Sequence, residues 1–250
     1  MFFAVKLSKI VLRDSAQGAE WHKRYFAMED PKIIRDQASL TYLLEKKILE
    51  VIARHLPLWA TPDFLTGVGI VGALIIGASY LLSKDQPLFL LVAAGGWVIH
   101  WFGDSLDGTV ARLRKTERPR YGHYLDHFVD SLVTFFIVLC FAFSGYGQPL
   151  VWILVLIGYY LISIHSYLLA AVIGRLKLSY GLLGPTETRI IFIFFSVFLF
   201  FSNPEFEILG INFTIADILG IGFFVLFLIM FVFNGIKTAR ELDSLDKRTE

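Results

Sequence analysis

Six long apolar segments constrain the fold of this chain more than any other feature of its sequence. Their approximate limits are 64–82, 88–111, 122–144, 149–173, 187–202 and 214–236. A helix needs about 20 apolar residues to cross the hydrocarbon core of a bilayer. The chain is also 56% hydrophobic and holds 24 Phe among its 250 residues, which is more apolar side chain than a soluble domain of this length requires. The sequence therefore predicts an all-α polytopic membrane protein with six transmembrane helices.

The stretch before the first span has the pattern of an amphipathic helix. Its apolar residues recur at helical spacing, at Leu40, Leu43, Leu44, Ile48, Val51 and Ile52. Lys46, Lys47 and Arg54 lie elsewhere on the helical wheel, which is typical of a helix in the membrane interface. Pro57 and Pro62 then interrupt the helix before the first span. The predicted organisation is an N-terminal cytoplasmic segment (1–38), an interfacial helix (39–56), a six-helix domain (57–238) and a cytoplasmic tail (239–250).

The distribution of basic residues predicts the orientation in the membrane. If the N-terminus is cytoplasmic, 22 of the 23 Lys and Arg residues fall on the cytoplasmic side, and only Lys84 falls on the other. Cytoplasmic loops carry such an excess, so we expect both termini and the loop after span two to be cytoplasmic. The net charge of +1 argues against a nucleic-acid partner. The one cysteine, Cys140, excludes a disulfide framework and a Cys-based metal site.

Four aspartates stand beside two of these spans, in the segment 103–131. Asp104 and Asp107 share a helix face at the end of span two, and Asp126 and Asp130 share a face near the start of span three with Gly122. Two antiparallel helices joined by a short basic loop can direct all four carboxylates to one point. Because clustered carboxylates repel one another, we expect divalent cations there. Oxygen ligands favour Mg²⁺ or Mn²⁺, and two such ions are suited to clamp a pyrophosphate.

The residues around the aspartates fit a phosphate ligand. Gly108 and Ala111 are small, which lets a flat or bulky group approach the helix, and Arg112 can hold a phosphate by two hydrogen bonds. Together with the carboxylates they indicate a site for a diphosphate nucleotide. The neighbouring basic residues are more typical of anchors on the cytoplasmic side of a membrane: Arg114, Lys115, Arg118 and Arg120.

The whole arrangement resembles the defining motif of a known family. Asp104-x-x-Asp107-Gly108-x-x-Ala111-Arg112, nine residues and then Gly122-x-x-x-Asp126-x-x-x-Asp130 is similar, at all eight fixed positions, to the motif of the CDP-alcohol phosphotransferases. The resemblance covers about residues 39–236. It implies a phospholipid-synthesising transferase in which an alcohol hydroxyl attacks a CDP-linked substrate and CMP leaves. It also implies membrane lipids as partners and homodimers as a common state.

The same resemblance assigns roles by position. Asp104, Asp107, Asp126 and Asp130 would bind the metal ions, and Asp130 would be the general base for the acceptor hydroxyl. The remaining motif positions would line the CDP site, with Arg112 on the diphosphate: Gly108, Ala111, Arg112 and Gly122.

Two choices of substrate remain open. CDP-diacylglycerol would give its phosphatidyl group to a small polar alcohol such as glycerol phosphate, serine or inositol phosphate. Alternatively, CDP-choline or CDP-ethanolamine would give its head group to diacylglycerol. The stretches "LDHFVDS" (125–131) and "LPLWATPDFLT" (56–66) resemble the choline/ethanolamine branch of the family, which places a His directly after the third Asp.

Further candidates lie nearby. His127 follows Asp126 and is a proton shuttle in catalysis, a residue that supports the aspartates or an interface residue. In the loop 174–189, the candidates to bind a phosphate on the acceptor or on lipid head groups are Arg175, Lys177 and Arg189. Glu187 is either a helix cap or a substrate ligand. A transporter or ion pathway is the alternative class of function, because ionisable residues at span ends also serve permeation. The absence of internal repeats and midplane charges argues against transport.

Overall fold

The computed structural model describes residues 34–36, 41–173, 175–177, 184–208 and 210–247. By its internal contacts the chain divides into two units, Met1–Ile34 and Arg35–Glu250. The fold below is that of the second unit. The predicted N-terminal segment (1–38) lies outside the described residues except for 34–36.

The described part of the second unit is mostly helical. Its seven helices are α1 (Tyr42–His55), α2 (Pro62–Leu82), α3 (Phe89–Leu113), α4 (Pro119–Ala142), α5 (Pro149–Ile173), α6 (Pro185–Phe201) and α7 (Ile215–Asp246). Four of them begin at a proline, whose fixed φ angle and missing N–H suit the first position of a helix. The predicted spans begin close to the observed starts of the corresponding helices.

Five of these helices are long and apolar enough to cross a membrane: α2, α3, α4, α5 and α7. The chain is thus a multi-pass membrane protein. The predicted span 187–202 corresponds to α6, which has 17 residues and is not among the five. The last predicted span ended at 236, but α7 continues to Asp246. Its polar extension carries the i, i+4 ion pairs Lys237–Glu241 and Lys247–Asp243, which stabilise a helix without apolar burial.

Four short strands accompany the helices in the described residues, although the sequence predicted none. They are β1 (Ile34–Asp36), β2 (Arg175–Lys177), β3 (Glu205–Ile208) and β4 (Ile211–Thr214). β3 and β4 form an antiparallel hairpin between α6 and α7, and Ile208 pairs with Ile211 across its tight turn. Gly210 has a φ of +78° in this turn, a conformation that glycine adopts without strain.

Glycines bring α2 and α3 into backbone contact. A Cβ added at Gly103 would lie 2.2 Å from the backbone nitrogen of Gly69, and one added at Gly72 would lie 2.4 Å from that of His100. Small residues of this kind allow membrane helices to approach closely. The contact places the segment that carries Asp104 directly against α2, so the position of the first aspartate depends on it.

Helix α1 packs against the same pair of helices. Leu49 and Ala53 are buried in a cluster with Leu65 of α2 and with Leu106 and Val110 of α3. Of the apolar positions predicted for α1, Leu44, Ile48 and Val51 are exposed. Ile52 packs at the edge of the cluster. Leu40 and the side chain of Leu43 lie outside the described part of the structure.

Gly103→Ala is expected to destabilise the protein, because its methyl group would collide with the backbone of α2 rather than with a movable side chain. Overpacking of this kind costs about 1–3 kcal/mol, which corresponds to a fall of about 3–10 °C in the unfolding midpoint. Thermal unfolding in detergent would measure it. Gly95→Ala on the same helix is the matched control, since a Cβ there meets nothing within 4 Å. Equal midpoints for the two variants would contradict the close α2–α3 contact.

Candidate functional site

Three of the four predicted aspartates meet in the structure. Asp104 of α3 and Asp126 and Asp130 of α4 each place one carboxylate oxygen within 4.8 Å of the others. All three side chains are half-buried. Carboxylates this close repel one another unless cations compensate them. The three oxygens form a donor set that suits a hard divalent cation.

An arginine from a distant part of the chain compensates part of this charge. Arg189 of α6 places its Nη2 atom 2.5 Å from Oδ2 of Asp104. The two side chains are only 10% and 23% exposed, so water screens the pair weakly. The sequence predicted a phosphate-binding role for Arg189, and the structure adds that this residue belongs to the carboxylate cluster.

Asp107, the fourth aspartate, lies outside the group of three. Its Oδ2 atom accepts a hydrogen bond of 2.6 Å from the Thr66 hydroxyl of α2. Its Oδ1 atom accepts a hydrogen bond of 2.5 Å from the backbone N–H of Gly108. The sequence pattern did not single out Thr66, because a threonine inside an apolar helix is common and carries no local signal.

The small motif residues leave an open surface on α3 and α4. Ala111 is half-buried, and Gly122 is exposed, with nothing within 4 Å of an added Cβ. At Gly108 an added Cβ would lie 3.2 Å from the Nη1 atom of Arg112. The Arg112 head is otherwise exposed and donates to the Thr109 hydroxyl at 3.2 Å. A bulky ligand can therefore approach this face of α3 and meet a guanidinium.

The two remaining candidate residues are His127 and Arg175, and the structure describes the side chain of His127 only. The His127 ring centroid lies 4.5 Å from that of His123 and 5.4 Å from that of Tyr167 of α5. His127 also lines a cavity together with Asp130. Arg175 belongs to β2, and its side chain lies outside the described part of the structure.

The cavity behind Asp130 has a volume of about 310 Å³ and is enclosed mainly by α4, α5, α6 and α7. Asp130 and Arg189 line one end of it. Its other end is lined by large apolar side chains such as Phe141 and Trp152. The site thus adjoins a space that changes from polar to apolar.

Glu45 of α1 braces the two helices that carry the Asp104–Arg189 pair. Its Oε1 atom accepts hydrogen bonds from Trp101 Nε1 at 2.9 Å and from the Ser105 hydroxyl at 3.3 Å, on either side of Asp104 in α3. It also accepts one of 2.6 Å from the Thr186 hydroxyl of α6. Sequence reasoning missed Glu45, although an acidic residue among the lysines of an amphipathic helix was a usable signal.

Glu187 fastens the start of α6 in the same way. Its Oε2 atom accepts a hydrogen bond from the Gly184 backbone N–H at 2.9 Å, as a helix cap does. Its Oε1 atom accepts from the backbone N–H and the hydroxyl of Thr41, at 2.9 and 2.8 Å. The contact of Glu187 with Gly184 is that of a helix cap, which is one of its two predicted roles.

Two arginines after α3 bind the protein itself. Arg114 donates to the carbonyls of Leu56, Pro57 and Ala60 at 2.8 to 3.0 Å, and so holds the loop between α1 and α2. Arg118 forms an ion pair with Asp63. Both guanidinium groups therefore already have partners within the protein.

Comparison with known proteins identifies the family. The sequence profile of the CDP-alcohol phosphatidyltransferases matches residues 59–229, which is most of the chain and includes all four aspartates. The chain belongs to this family. It is also similar to the archaetidylinositol phosphate synthase of Pyrococcus horikoshii, with 31% identity over 150 residues, 60% of this chain and 76% of that protein.

Family membership confirms the predicted class of enzyme. The chain is a transferase of substituted phosphate groups that acts in phospholipid synthesis in a membrane, and the alternative of a transporter is not supported. Members of this family use divalent metal ions, which agrees with the carboxylate donor set. The family also implies a CDP-linked substrate and an alcohol acceptor.

Glu45→Ala is expected to lower the rate of CMP release at least about tenfold and to lower the unfolding midpoint. The variant leaves three part-buried donors without their acceptor, at about 1–3 kcal/mol each, and releases the helices that carry Asp104 and Arg189. Glu45→Gln keeps an oxygen acceptor and should retain most of the activity. Lys46→Ala, at the exposed neighbouring residue, is the control. Wild-type turnover and stability in Glu45→Ala would show that the brace is dispensable.

Proposed function

We propose that this enzyme transfers a phosphatidyl-type group from a CDP-activated lipid to inositol phosphate, with release of CMP. The observation that carries the proposal is the cluster of Asp104, Asp126 and Asp130 beside Arg189, at the polar end of a cavity whose other end is apolar. A lipid donor and a polar, anionic acceptor meet opposite surroundings in such a site. The similarity to an archaetidylinositol phosphate synthase favours inositol phosphate among the polar alcohols.

The donor chemistry of the site fits two divalent ions, Mg²⁺ or Mn²⁺. Asp104, Asp126 and Asp130 offer three oxygens within 4.8 Å of one another, and Asp107 adds a carboxylate one turn along α3. When bound, such ions neutralise the diphosphate and polarise its phosphorus.

The residues of the chain then have separate tasks in the proposed reaction. Asp130 lines the cavity, so its carboxylate can take the proton from an acceptor hydroxyl as the new bond to phosphorus forms. His127 lines the same cavity and is the alternative residue for this proton. The residues proposed to bind the CDP diphosphate and its surroundings are Gly108, Ala111, Arg112 and Gly122, and those proposed to bind an acceptor phosphate are Arg175 and Arg189.

A second candidate is transfer of the head group from CDP-choline or CDP-ethanolamine to diacylglycerol. The stretch "LDHFVDS", with His127 directly after Asp126, favours it. In that reaction the apolar end of the cavity would receive a lipid acceptor instead of part of a lipid donor. The two candidates differ in which substrate carries CMP, and an assay distinguishes them directly.

The proposed topology has six spans and an interfacial helix, with both termini and the site on the cytoplasmic side. α6 is included because 17 residues extend about 25 Å, at the short end of the range that crosses a bilayer. α1 is placed in the interface because Leu44 and Val51 are exposed by 65% and 59%, and Leu58 and Trp59 beside it by 86% and 68%. The excess of basic residues supports the orientation.

Purified protein with Mg²⁺, CDP-diacylglycerol and inositol phosphate is expected to release CMP. Asp130→Asn should lower the rate about 10²- to 10⁴-fold, the usual loss of a general base, and a chelator should abolish activity until Mg²⁺ or Mn²⁺ is restored. Asp85→Asn, in the exposed loop between α2 and α3, is the matched control. CMP release only from CDP-choline or CDP-ethanolamine with diacylglycerol would establish the second candidate instead.

Cysteine labelling in intact cells is expected to follow the proposed orientation. In a Cys140→Ala background, Asp85→Cys should react with a membrane-impermeant maleimide, and Lys115→Cys should react only after the cells are opened. Both positions are exposed, so accessibility within the protein does not bias the result. The reverse labelling pattern would place the site on the outer side.

A further inference from the structure

The face of α5 that lines the cavity changes character along its length. Its first half contributes Trp152 and Val155, which are apolar and buried. From its middle onward it contributes four hydroxyl-bearing side chains, at Tyr159, Ser163, Ser166 and Tyr167. Residues at these intervals share one side of a helix. We refer to these four side chains as the hydroxyl wall.

The helices opposite the hydroxyl wall are polar at the same end of the cavity. On α4, Asp130 and Thr134 precede the apolar Phe141, and on α6, Thr188 and Arg189 precede Phe192. Three helices therefore direct their polar groups to one part of the cavity. Serines that only form hydrogen bonds to the backbone of their own helix would not be expected to lie opposite polar groups of two other helices.

The hydroxyl wall lines the cavity, whereas the small residues of the CDP motif do not. The cavity lining includes Asp130 and Arg189, but it includes none of the small motif residues or Arg112. In phosphoryl transfer the attacking oxygen and the leaving group lie roughly in line on opposite sides of the phosphorus. If CDP occupies the motif face of α3, the polar end of the cavity is the place for the attacking alcohol.

The hydrogen bonding of the wall favours an alcohol with several hydroxyl groups. The Ser163 hydroxyl donates to the Tyr159 carbonyl at 2.9 Å, and the Ser166 hydroxyl donates to the Ile162 carbonyl at 3.2 Å. In these bonds each serine hydroxyl is the donor, and a hydroxyl oxygen can accept as well as donate. Arg189 has only donors, which suit a phosphate.

We propose that the hydroxyl wall is the subsite that selects a phosphorylated polyol as acceptor. This inference rests on the proposed function and adds to it the residues that determine specificity. The ring hydroxyls of the acceptor donate to Ser163 and Ser166, Tyr159 and Tyr167 close the subsite, and the acceptor phosphate lies toward Arg189. An acceptor with fewer hydroxyl groups makes fewer hydrogen bonds to the hydroxyl wall.

The experiment compares the wild type with Ser163→Ala, Ser166→Ala and the double variant. Rates of CMP release are measured with CDP-diacylglycerol and either inositol phosphate or glycerol phosphate. Because a hydrogen bond contributes modestly, each single variant should raise the KM for inositol phosphate about two- to tenfold, and the double variant about 10- to 50-fold. The KM for CDP-diacylglycerol should not change. The rise in KM should be smaller for glycerol phosphate, because it has fewer hydroxyl groups that can bond to the two serines.

Controls separate this inference from the proposed function. Ser79→Ala replaces a buried serine of α2 that does not line the cavity, and it should leave both KM values unchanged. Calorimetric binding of inositol phosphate to each folded variant gives a second measurement that does not need turnover. Two outcomes with an active wild type would overturn the role of the hydroxyl wall and leave the proposed function standing. In the first, the double variant keeps the wild-type KM and affinity for inositol phosphate. In the second, its KM values for inositol phosphate and for glycerol phosphate rise by the same factor. If the wild type uses no phosphorylated polyol, both are overturned.

Discussion

The ion pair between Asp104 and Arg189 is the interaction on which the rest of the site depends. It joins α3 to α6 across 85 residues of sequence, at 2.5 Å and largely out of water. Three carboxylates within 4.8 Å are unfavourable in an apolar protein unless opposite charge is near. Arg189 provides that charge and also lines the cavity, so a phosphate that enters meets a guanidinium already held in place.

Contacts outside the cluster fix the helices that hold this pair. The glycine contact sets α3 against α2, and Glu45 and Glu187 tie α1 to α3 and α6. α1 therefore has two roles, because its buried face braces the site while Leu44, Ile48 and Val51 remain exposed on the other. In the proposed interfacial position of α1 these apolar residues meet lipid, which would couple the position of the site relative to the membrane to its internal geometry.

The change from polar to apolar along the cavity suits a reaction between a lipid and a water-soluble alcohol. Charged and hydroxyl groups gather at the end near Asp130, where the proposed reaction holds anionic groups and moves a proton. Phe141 and Trp152 line the other end, where hydrocarbon is stable. One continuous space can therefore serve both parts of an amphiphilic reaction at a membrane surface.

The sequence by itself determined the class of protein, most helix limits and the motif. Apolar runs of membrane length and prolines at helix starts are local signals, and the spacing of Asp104, Asp126 and Asp130 placed them on facing helices. Hydropathy missed the last turns of α7, because ion pairs rather than apolar burial support them.

Only the tertiary structure decided that Asp107 turns to Thr66, that Arg189 pairs with Asp104, and that Glu45 and the α5 hydroxyls face the site. The physical reason is that these contacts join side chains far apart along the chain, up to 141 residues for Glu45 and Thr186. Helical periodicity shows which residues share a face, but the packing of the helices decides which faces meet.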